Sequence, residues 1–359
     1  MAKPSYKTKR RERPAAGKPT GKPSRRKPKA ETPKPAPVAP PPRPRPARRS
    51  GDRLPAEAGL LIEVASDSDY ALVDSGDGEK LERYNGVLIR RPENQAAWTR
   101  TLPAAEWAKA QAVFTGDDAD EGRSDRGRWA FPHGVVGDGE TFPMRFDGLA
   151  YHGRFTAFRH TGVFPEQAAH WRSMEGVIKA AKRPVTVLNL FGYTGLASLV
   201  AARAGAQVTH VDASKKAIQQ ARENADLAGL TDAPIRWICD DAVKFCEREV
   251  RRGNGYDIIL LDPPAYGRGP KGEVWQLFDD LPHMLDLVRD MQSTTPLMTV
   301  LTSYAIRSSH LTLIEAMQDA FAGMTGRLDG GELVLAQETG GRSLSTSMFA
   351  RYIAPGVAP

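Results

Sequence analysis

The 359-residue chain holds only two cysteines, Cys239 and Cys246, which excludes a disulfide framework and a cysteine-rich zinc set. No apolar run approaches the roughly 20 residues that a bilayer-spanning helix needs, and no apolar stretch of the kind that directs secretion stands near residue 1. These absences predict a reduced, cytoplasmic protein with no membrane partner. His160, His170 and His210 lack metal-ligand spacing, so no metal is expected. The first 50 residues lack acids and large apolar side chains: 8 Lys and 9 Arg face only Glu12 and Glu31, among 13 prolines. Such a segment cannot bury enough surface to offset its ordering entropy, and disorder is expected over 1–55, with the proline run 33–46 favouring polyproline II. The net charge of +7 therefore belongs to this tail. The remaining 309 residues carry 33 basic against 41 acidic side chains and are mildly acidic. The tail fits an arm that concentrates the protein on polyanionic RNA through phosphate contacts; a solubilising tail with no specific partner is the alternative.

Residues 56–165 read as a smaller, β-rich α+β domain. Short strands are expected at 60–64, 70–73 and 87–90, and the spacing of Trp107, Ala110, Val113 and Phe114 predicts a helix over 103–114. Asp147-Gly148, set between two apolar-rich runs, predicts a hairpin, because both turn residues tolerate positive φ. Arg145, Arg154, Arg159 and His160 then form either a local basic face or the solvated side of a sheet. From 166 to 359 strands and helices alternate. Helices are expected at 167–181, 196–204, 215–228, 275–291 and 311–321, and strands at 185–190, 207–211, 235–239, 256–261 and 296–302. A closing antiparallel pair is expected at 333–337 and 347–353. This alternation predicts an α/β fold with a doubly wound parallel sheet that binds its ligand at the carboxyl ends of the strands.

Four strand ends carry the chemistry. The strand through Asn189 runs into Phe191-Gly192-Tyr193-Thr194-Gly195, where glycines let the backbone pass close to a ligand. The spacing is not the G-x-G-x-x-G of dinucleotide sites, so the turn suits the amino-acid end of S-adenosylmethionine (SAM) rather than NAD. Asp212, 17 residues beyond Gly195, ends the next strand and can accept from both hydroxyls of a ribose; its bland role is to cap the following helix, which Ser214 can equally do. Asp241 ends the third strand, placed to accept from an adenine amine or to cap a helix. Asp262-Pro263-Pro264-Ala265-Tyr266 ends the fourth: the prolines stiffen the loop, Asp262 offers an acceptor, and Tyr266 a face for a flipped base. Arg268 and Lys271 follow, either holding a phosphate or lying on a solvated loop. Trp275 is expected in the core of the next helix.

With these residues the chain resembles class I SAM-dependent methyltransferases over 185–266. Over 72–352 it resembles the bacterial 23S rRNA methyltransferases that include the cytosine-5 enzymes. The matching stretches begin at Leu72 (LVDSGDGEKLER), His160 (HTGVFPEQ), Leu188 (LNLFGYTG) and Asp262 (DPPAY). The resemblance implies a Rossmann-like SAM methyltransferase sheet. It implies that Thr161, Phe164 and Gln167 line the cofactor pocket, and that Asn189, Phe191, Gly192, Tyr193, Gly195, Asp212, Ala213 and Asp241 hold SAM. Asp262, Pro263, Pro264 and Tyr266 would face a base of ribosomal RNA, which the tail and the small domain would help to bind. The cytosine-5 members carry a nucleophilic cysteine where this chain has Ser303, in Thr302-Ser303-Tyr304. Serine without a base is a poor nucleophile, which argues against the covalent route; transfer to a nitrogen needs no covalent intermediate. A methyltransferase for a protein or small molecule, or a non-catalytic RNA-binding relative, are the alternatives.

Overall fold

The computed structural model describes residues 47, 49–67, 69–116, 126–134, 136, 141–304, 306 and 308–359. Most of the expected tail lies outside the described residues. Its last positions are packed rather than loose: Arg49 pairs with Asp286 at 2.6 Å, and the carbonyl of buried Leu54 accepts from Gln318 Nε2 at 2.8 Å. The next strand, β1 (Ala56–Val64), is expected in a small N-terminal sheet, but it pairs in parallel with residues 328–335 at the edge of the large sheet.

A separate five-stranded sheet follows in chain order: β2 (Tyr70–Gly76), β3 (Glu79–Tyr84), β4 (Val87–Pro92), β5 (Ala112–Gly116) and β6 (Gly127–Ala130). The expected helix over 103–114 is cut to one turn, α1 (Ala104–Trp107). Ala112 and Val113 pair with Ile89 and Arg90, and Phe114 lies opposite Trp129, so tertiary partners override the helical spacing. The hairpin β7 (Thr141–Phe146) and β8 (Leu149–Arg154) turns at Asp147-Gly148, with φ of 46° and 81°. The four side chains Arg145, Arg154, Arg159 and His160 do not share one face. Arg154 reaches Glu223 at 2.5 Å, whereas Arg159 and His160 border the cavity described below.

A 3₁₀ turn at Pro165–Gln167 opens the alternating part: α2 (Ala168–Ala180), β9 (Thr186–Leu190), α3 (Leu196–Arg203), β10 (Gln207–Asp212), α4 (Lys215–Leu227), β11 (Ile235–Cys239), α5 (Ala242–Arg252) and β12 (Ile258–Leu261). Two short strands, β13 (Tyr266–Arg268) and β14 (Val274–Gln276), precede α6 (Leu277–Asp290), β15 (Met298–Tyr304), α7 (His310–Ala320), β16 (Arg327–Ala336) and β17 (Ser343–Ile353). Trp275 thus stands on β14, not on a helix. The eight-stranded sheet has the order β1-β16-β17-β15-β12-β9-β10-β11, parallel except where β17 runs against β15 and β16. Strand alternation feeds two cores: Val187, Leu260 and Val300 pack toward α2 and α3, and Leu188, Leu261 and Leu301 toward α5, α6 and α7. The chain runs outward from β9 to β11 and returns to β12 on the other flank of β9. The loops leaving β9 and β12 diverge, and a crevice opens at their carboxyl ends.

One buried charge cluster ties the five-stranded sheet to the segment that enters this crevice. Arg91 Nε and Nη2 donate to Glu82 at 2.6 and 2.9 Å, and Arg91 Nη1 donates to the carbonyl of Arg159 at 2.9 Å. The Tyr70 and Tyr84 hydroxyls each donate to Glu82 at 3.0 Å. Burial alone would raise the Glu82 pKa, but Arg91 and then Lys80 outweigh it and hold it at about 2. Removing one partner leaves a buried charge unpaired, so Arg91→Ala is expected to cost about 3–5 kcal/mol, and Arg91→Met with Glu82→Met much less. Urea unfolding measures both. Because the folded pKa is depressed, the contribution of Glu82 is complete above an unfolded value of about 4.3 and falls away as pH drops toward 2. Wild type should therefore lose stability relative to the double variant, which has no carboxyl at 82, over that window.

Candidate active site

A cavity of about 810 Å³ occupies the crevice, a volume suited to a small-molecule cofactor with part of a second substrate. Of the residues expected to act there, Phe164, Gln167, Asn189, Phe191, Gly192, Tyr193, Asp212, Ala213, Asp241, Asp262, Pro263, Pro264 and Tyr266 line it. Thr161 and Gly195 do not. Thr161 is fully buried, its carbonyl accepting from Arg154 N at 2.8 Å. Gly195 is the left-handed N-cap of α3, with φ of 86°, where a Cβ would meet Ala221 Cβ at 2.8 Å.

The loop after β9 is bent sharply. Phe191 and Tyr193 both take positive φ, 57° and 49°, which is uncommon for bulky residues and clusters at functional sites. Two bonds hold the bend: Gly192 N donates to the Val211 carbonyl at 3.1 Å, and Tyr193 N to Asp212 Oδ2 at 2.9 Å. Gly192 is needed for space, since an added Cβ would lie 2.4 Å from His210 Cε1. Behind it, Asn189 Nδ2 donates to Ser198 Oγ at 3.0 Å, and Ser198 contacts His210 Nδ1 at 3.0 Å. Burial depresses the His210 pKa to about 3 and keeps the ring neutral.

Asp212 accepts from Tyr193 N through one oxygen and from Ser214 N, at 2.8 Å, through the other. A carboxylate has about four lone-pair sites, so capacity remains for two ribose hydroxyls. The helix is capped by Ser214, which accepts from Ala217 N, leaving Asp212 to the cavity. Burial raises the Asp212 pKa against those two backbone bonds. Asp241 does cap α5, accepting from Lys244 N at 3.0 Å, and lines the cavity as well. Its neighbour Asp240 is engaged by Arg248. The acceptors Asp212 and Asp241, with Phe191, Ala213 and Ala242 as apolar walls, suit an adenosine moiety.

The floor beyond β12 differs. Asp262 accepts from Gln167 Nε2 at 3.1 Å, and Gln167 Oε1 accepts from Thr302 Oγ1 at 3.5 Å. Gln167, expected beside the cofactor, therefore stands next to Asp262, over β12 and β15. Burial, and secondarily the Glu166 carboxyl, raises the Asp262 pKa to about 7. The following loop is braced from outside: Trp275 Nε1 donates to the Pro264 carbonyl at 2.7 Å, and Leu277 N to that of Ala265 at 3.0 Å. Lys271 N donates to Glu273 Oε2 at 2.8 Å and Lys244 pairs with the same carboxylate, whereas Arg268 borders the cavity. At the mouth, His160, Phe164, Tyr193 and Tyr304 cluster, with ring centroids 4.9–5.9 Å apart. Glu166, His170, Tyr304 and Ser347 also line the cavity, and no local spacing marks them. Ser303 does not line it. Nor does either cysteine: Cys246 is buried in α5, where burial raises its pKa well above the usual thiol range, and Cys239 is exposed. Among the described residues no group of three or more His, Cys, Asp or Glu could hold a metal ion, and no helix is long and apolar enough to cross a membrane.

A family described as Conserved hypothetical protein 95 matches residues 159–284. The crystal structure of the SAM-dependent methyltransferase from Agrobacterium tumefaciens is similar to this chain with a TM-score of 0.81 and 51% identity, covering 85% of this chain and 97% of that one. The ribosomal RNA large subunit methyltransferase I of Shewanella denitrificans is 40% identical over 224 residues, 59% of this chain and 55% of the relative. The ribosomal RNA large subunit methyltransferase K of Neisseria meningitidis serogroup B is 27% identical over 220 residues, 60% and 57% respectively. The chain thus spans little more than half the length of these two curated relatives.

Gly192→Ala pushes a methyl group into the His210 ring and is expected to destabilise the protein by roughly 1–3 kcal/mol. Gly176→Ala, in α2 with open space around it, should instead stabilise by about 0.5–1 kcal/mol. Paired urea melts check the contrast, and equal effects would dissociate Gly192 from close packing.

Proposed function

The chain belongs to the SAM-dependent methyltransferases, and from that premise we propose that it methylates a nitrogen of a base in large-subunit (23S) ribosomal RNA. The observation that carries the reading is Asp262, an acceptor on the cavity floor with no cysteine beside it. SAM supplies an activated methyl group on a sulfonium. Asp212, Asp241 and the bend at Phe191–Tyr193 would hold it, and the rest of the chemistry falls to alignment. Asp262 accepts a hydrogen bond from the amine of the base and turns the nitrogen lone pair toward the donor. It takes up the proton that the nitrogen sheds as the N–C bond forms and the S–C bond breaks. A carboxyl with a pKa near 7 is suited to that exchange at neutral pH. Pro263 and Pro264 keep the loop stiff, and Tyr266 offers its ring to the flipped base.

An RNA substrate is supported by the names of the two curated relatives and by the rim of the cavity. Phe158 and Tyr266 are 42% and 53% exposed there, and guanidinium groups lie over the neighbouring rings, Arg126 over Phe158 at 5.4 Å and Arg159 over Tyr304 at 5.5 Å. Exposed rings interleaved with arginine suit stacked, negatively charged strands. In this reading the basic residues ahead of Arg49 tether RNA through phosphates, the β-rich segment 56–165 (β1 excepted) docks it, and 166–359 carries out the transfer in the cytoplasm. The acidic folded part favours a protein substrate as the second reading.

Nucleoside mass spectrometry of ribosomal RNA from a strain lacking the gene should show the loss of one N-methylated nucleoside, restored by wild type and not by Asp262→Ala. Loss of 5-methylcytidine instead would overturn the nitrogen assignment, and label from SAM entering protein but not RNA would overturn the substrate. The rate of transfer should rise with pH through about 7, where Asp262 ionises, and Asp262→Asn should remove that limb while lowering the rate on the order of 100-fold.

A further inference from the structure

Behind Asp262 the cavity continues between α2 and the sheet, and its inner wall holds a polar group that no described residue satisfies. His170 borders the cavity with only 2% of its surface exposed, and neither ring nitrogen has a hydrogen-bond partner among the described residues. The ring is fixed edge-on to Phe349, centroids 5.0 Å apart. The nearby guanidinium of Arg351 is committed to Asp329 at 2.8 and 2.9 Å. A buried imidazole with two idle nitrogens is costly, and its place beside Gln167 and Asp262 marks the side of the cavity away from Asp212 and Asp241.

We propose that His170 reads the edge of the target base, and that this recess takes an uncharged planar heterocycle with both donor and acceptor atoms. The proposal rests on the base-methylation reading above. Its chemistry follows from the donor set. A neutral imidazole offers one N–H and one lone pair, and burial, with Arg351 adding to it, keeps His170 neutral, its pKa lowered to about 3. The Gln167 amide and the hydroxyls of Thr302 and Ser347 are two-sided in the same way, Ser347 donating to Glu166 Oε1 at 3.1 Å. Burial raises the Glu166 pKa as well. A nucleobase edge presents alternating donors and acceptors to such a wall. An ammonium or guanidinium presents donors only and would leave the imidazole N–H facing another donor.

The test uses SAM labelled on its methyl group, ribosomal RNA extracted from a strain lacking the gene, and full-length wild type, His170→Phe and His170→Gln. Wild type should label the RNA. His170→Phe, which keeps the packing on Phe349, should lower kcat/KM for RNA on the order of 10- to 100-fold, while the Kd for S-adenosylhomocysteine by calorimetry stays within about 2-fold. His170→Gln should recover part of the loss. Equal rates for wild type and His170→Phe, or a parallel loss of cofactor affinity, overturn the assignment of His170 alone. Wild type that labels protein and leaves the RNA unlabelled overturns the base-methylation reading, and the role of His170 with it.

Discussion

The arrangement of the cavity depends on where the guanidinium of Arg91 directs its donors. Two go to Glu82 and one to the main chain of Arg159. A buried ion pair of this kind adds little net stability, because desolvation offsets the attraction. What it does supply is direction, since a planar fork accepts partners in few geometries. The carbonyl it grips lies one residue before His160, at the start of the segment that places His160, Phe164, Glu166 and Gln167 against the cavity. The five-stranded sheet thereby sets one wall of a site whose other walls come from the large sheet. Thr194 Oγ1, donating to the Gly162 carbonyl at 2.6 Å, ties the same segment to the loop after β9 from the opposite side.

Held in this way, the cavity has two chemically distinct ends. Where β9, β10 and β11 finish, acceptors are partly engaged by backbone N–H groups: Asp212 by Tyr193 and Ser214, Asp241 by Lys244. These bonds fix the carboxylates before anything binds, so little ordering remains to be done on binding. Where β12 and β15 finish, the polar groups are bonded mainly to one another, Thr302 to Gln167 to Asp262 and Ser347 to Glu166. Their carboxyl groups have raised pKa values because protein has replaced water around them. One end suits a cofactor held always in the same way. The other has the low-dielectric surroundings in which a proton exchange and a few hydrogen bonds decide the outcome.

Local signals carried the frame of the molecule and long-range ones carried its details. The strand–turn run at 187–195, Asp212, and the Asp-Pro-Pro loop were legible because residues within a short window determine a strand end and its turn. The hairpin at Asp147-Gly148 was legible for the same reason. The equivalent signal at Asp77-Gly78, with φ of 52° and 75°, joins β2 to β3 and is fainter because β3 is rich in charge: its Lys80 and Glu82 are buried through pairing that no periodicity reveals. The helical spacing at 103–114 misled because Val113 and Phe114 find strand partners from distant residues. β1 was placed with its sequence neighbours, whereas its partner lies some 270 residues away in β16. Gln167 and His170 gain their places only when the 3₁₀ turn and the start of α2 meet Asp262, β15 and β17, and the residues that mark that meeting are far apart in the chain.

The serine at 303 shows how strand geometry changes the meaning of a substitution. Successive side chains on a strand point to opposite faces. On β15, Thr302 and Tyr304 face the cavity, so Ser303 between them faces away. It is fully buried opposite Met348, with its hydroxyl unpartnered among the described residues. A thiol at 303 would sit in that same buried place, outside the cavity that Asp262 and Tyr266 line. In this backbone register the side chain at 303 is turned from the cavity, and the polar group that its floor presents beside Thr302 and Gln167 is Asp262.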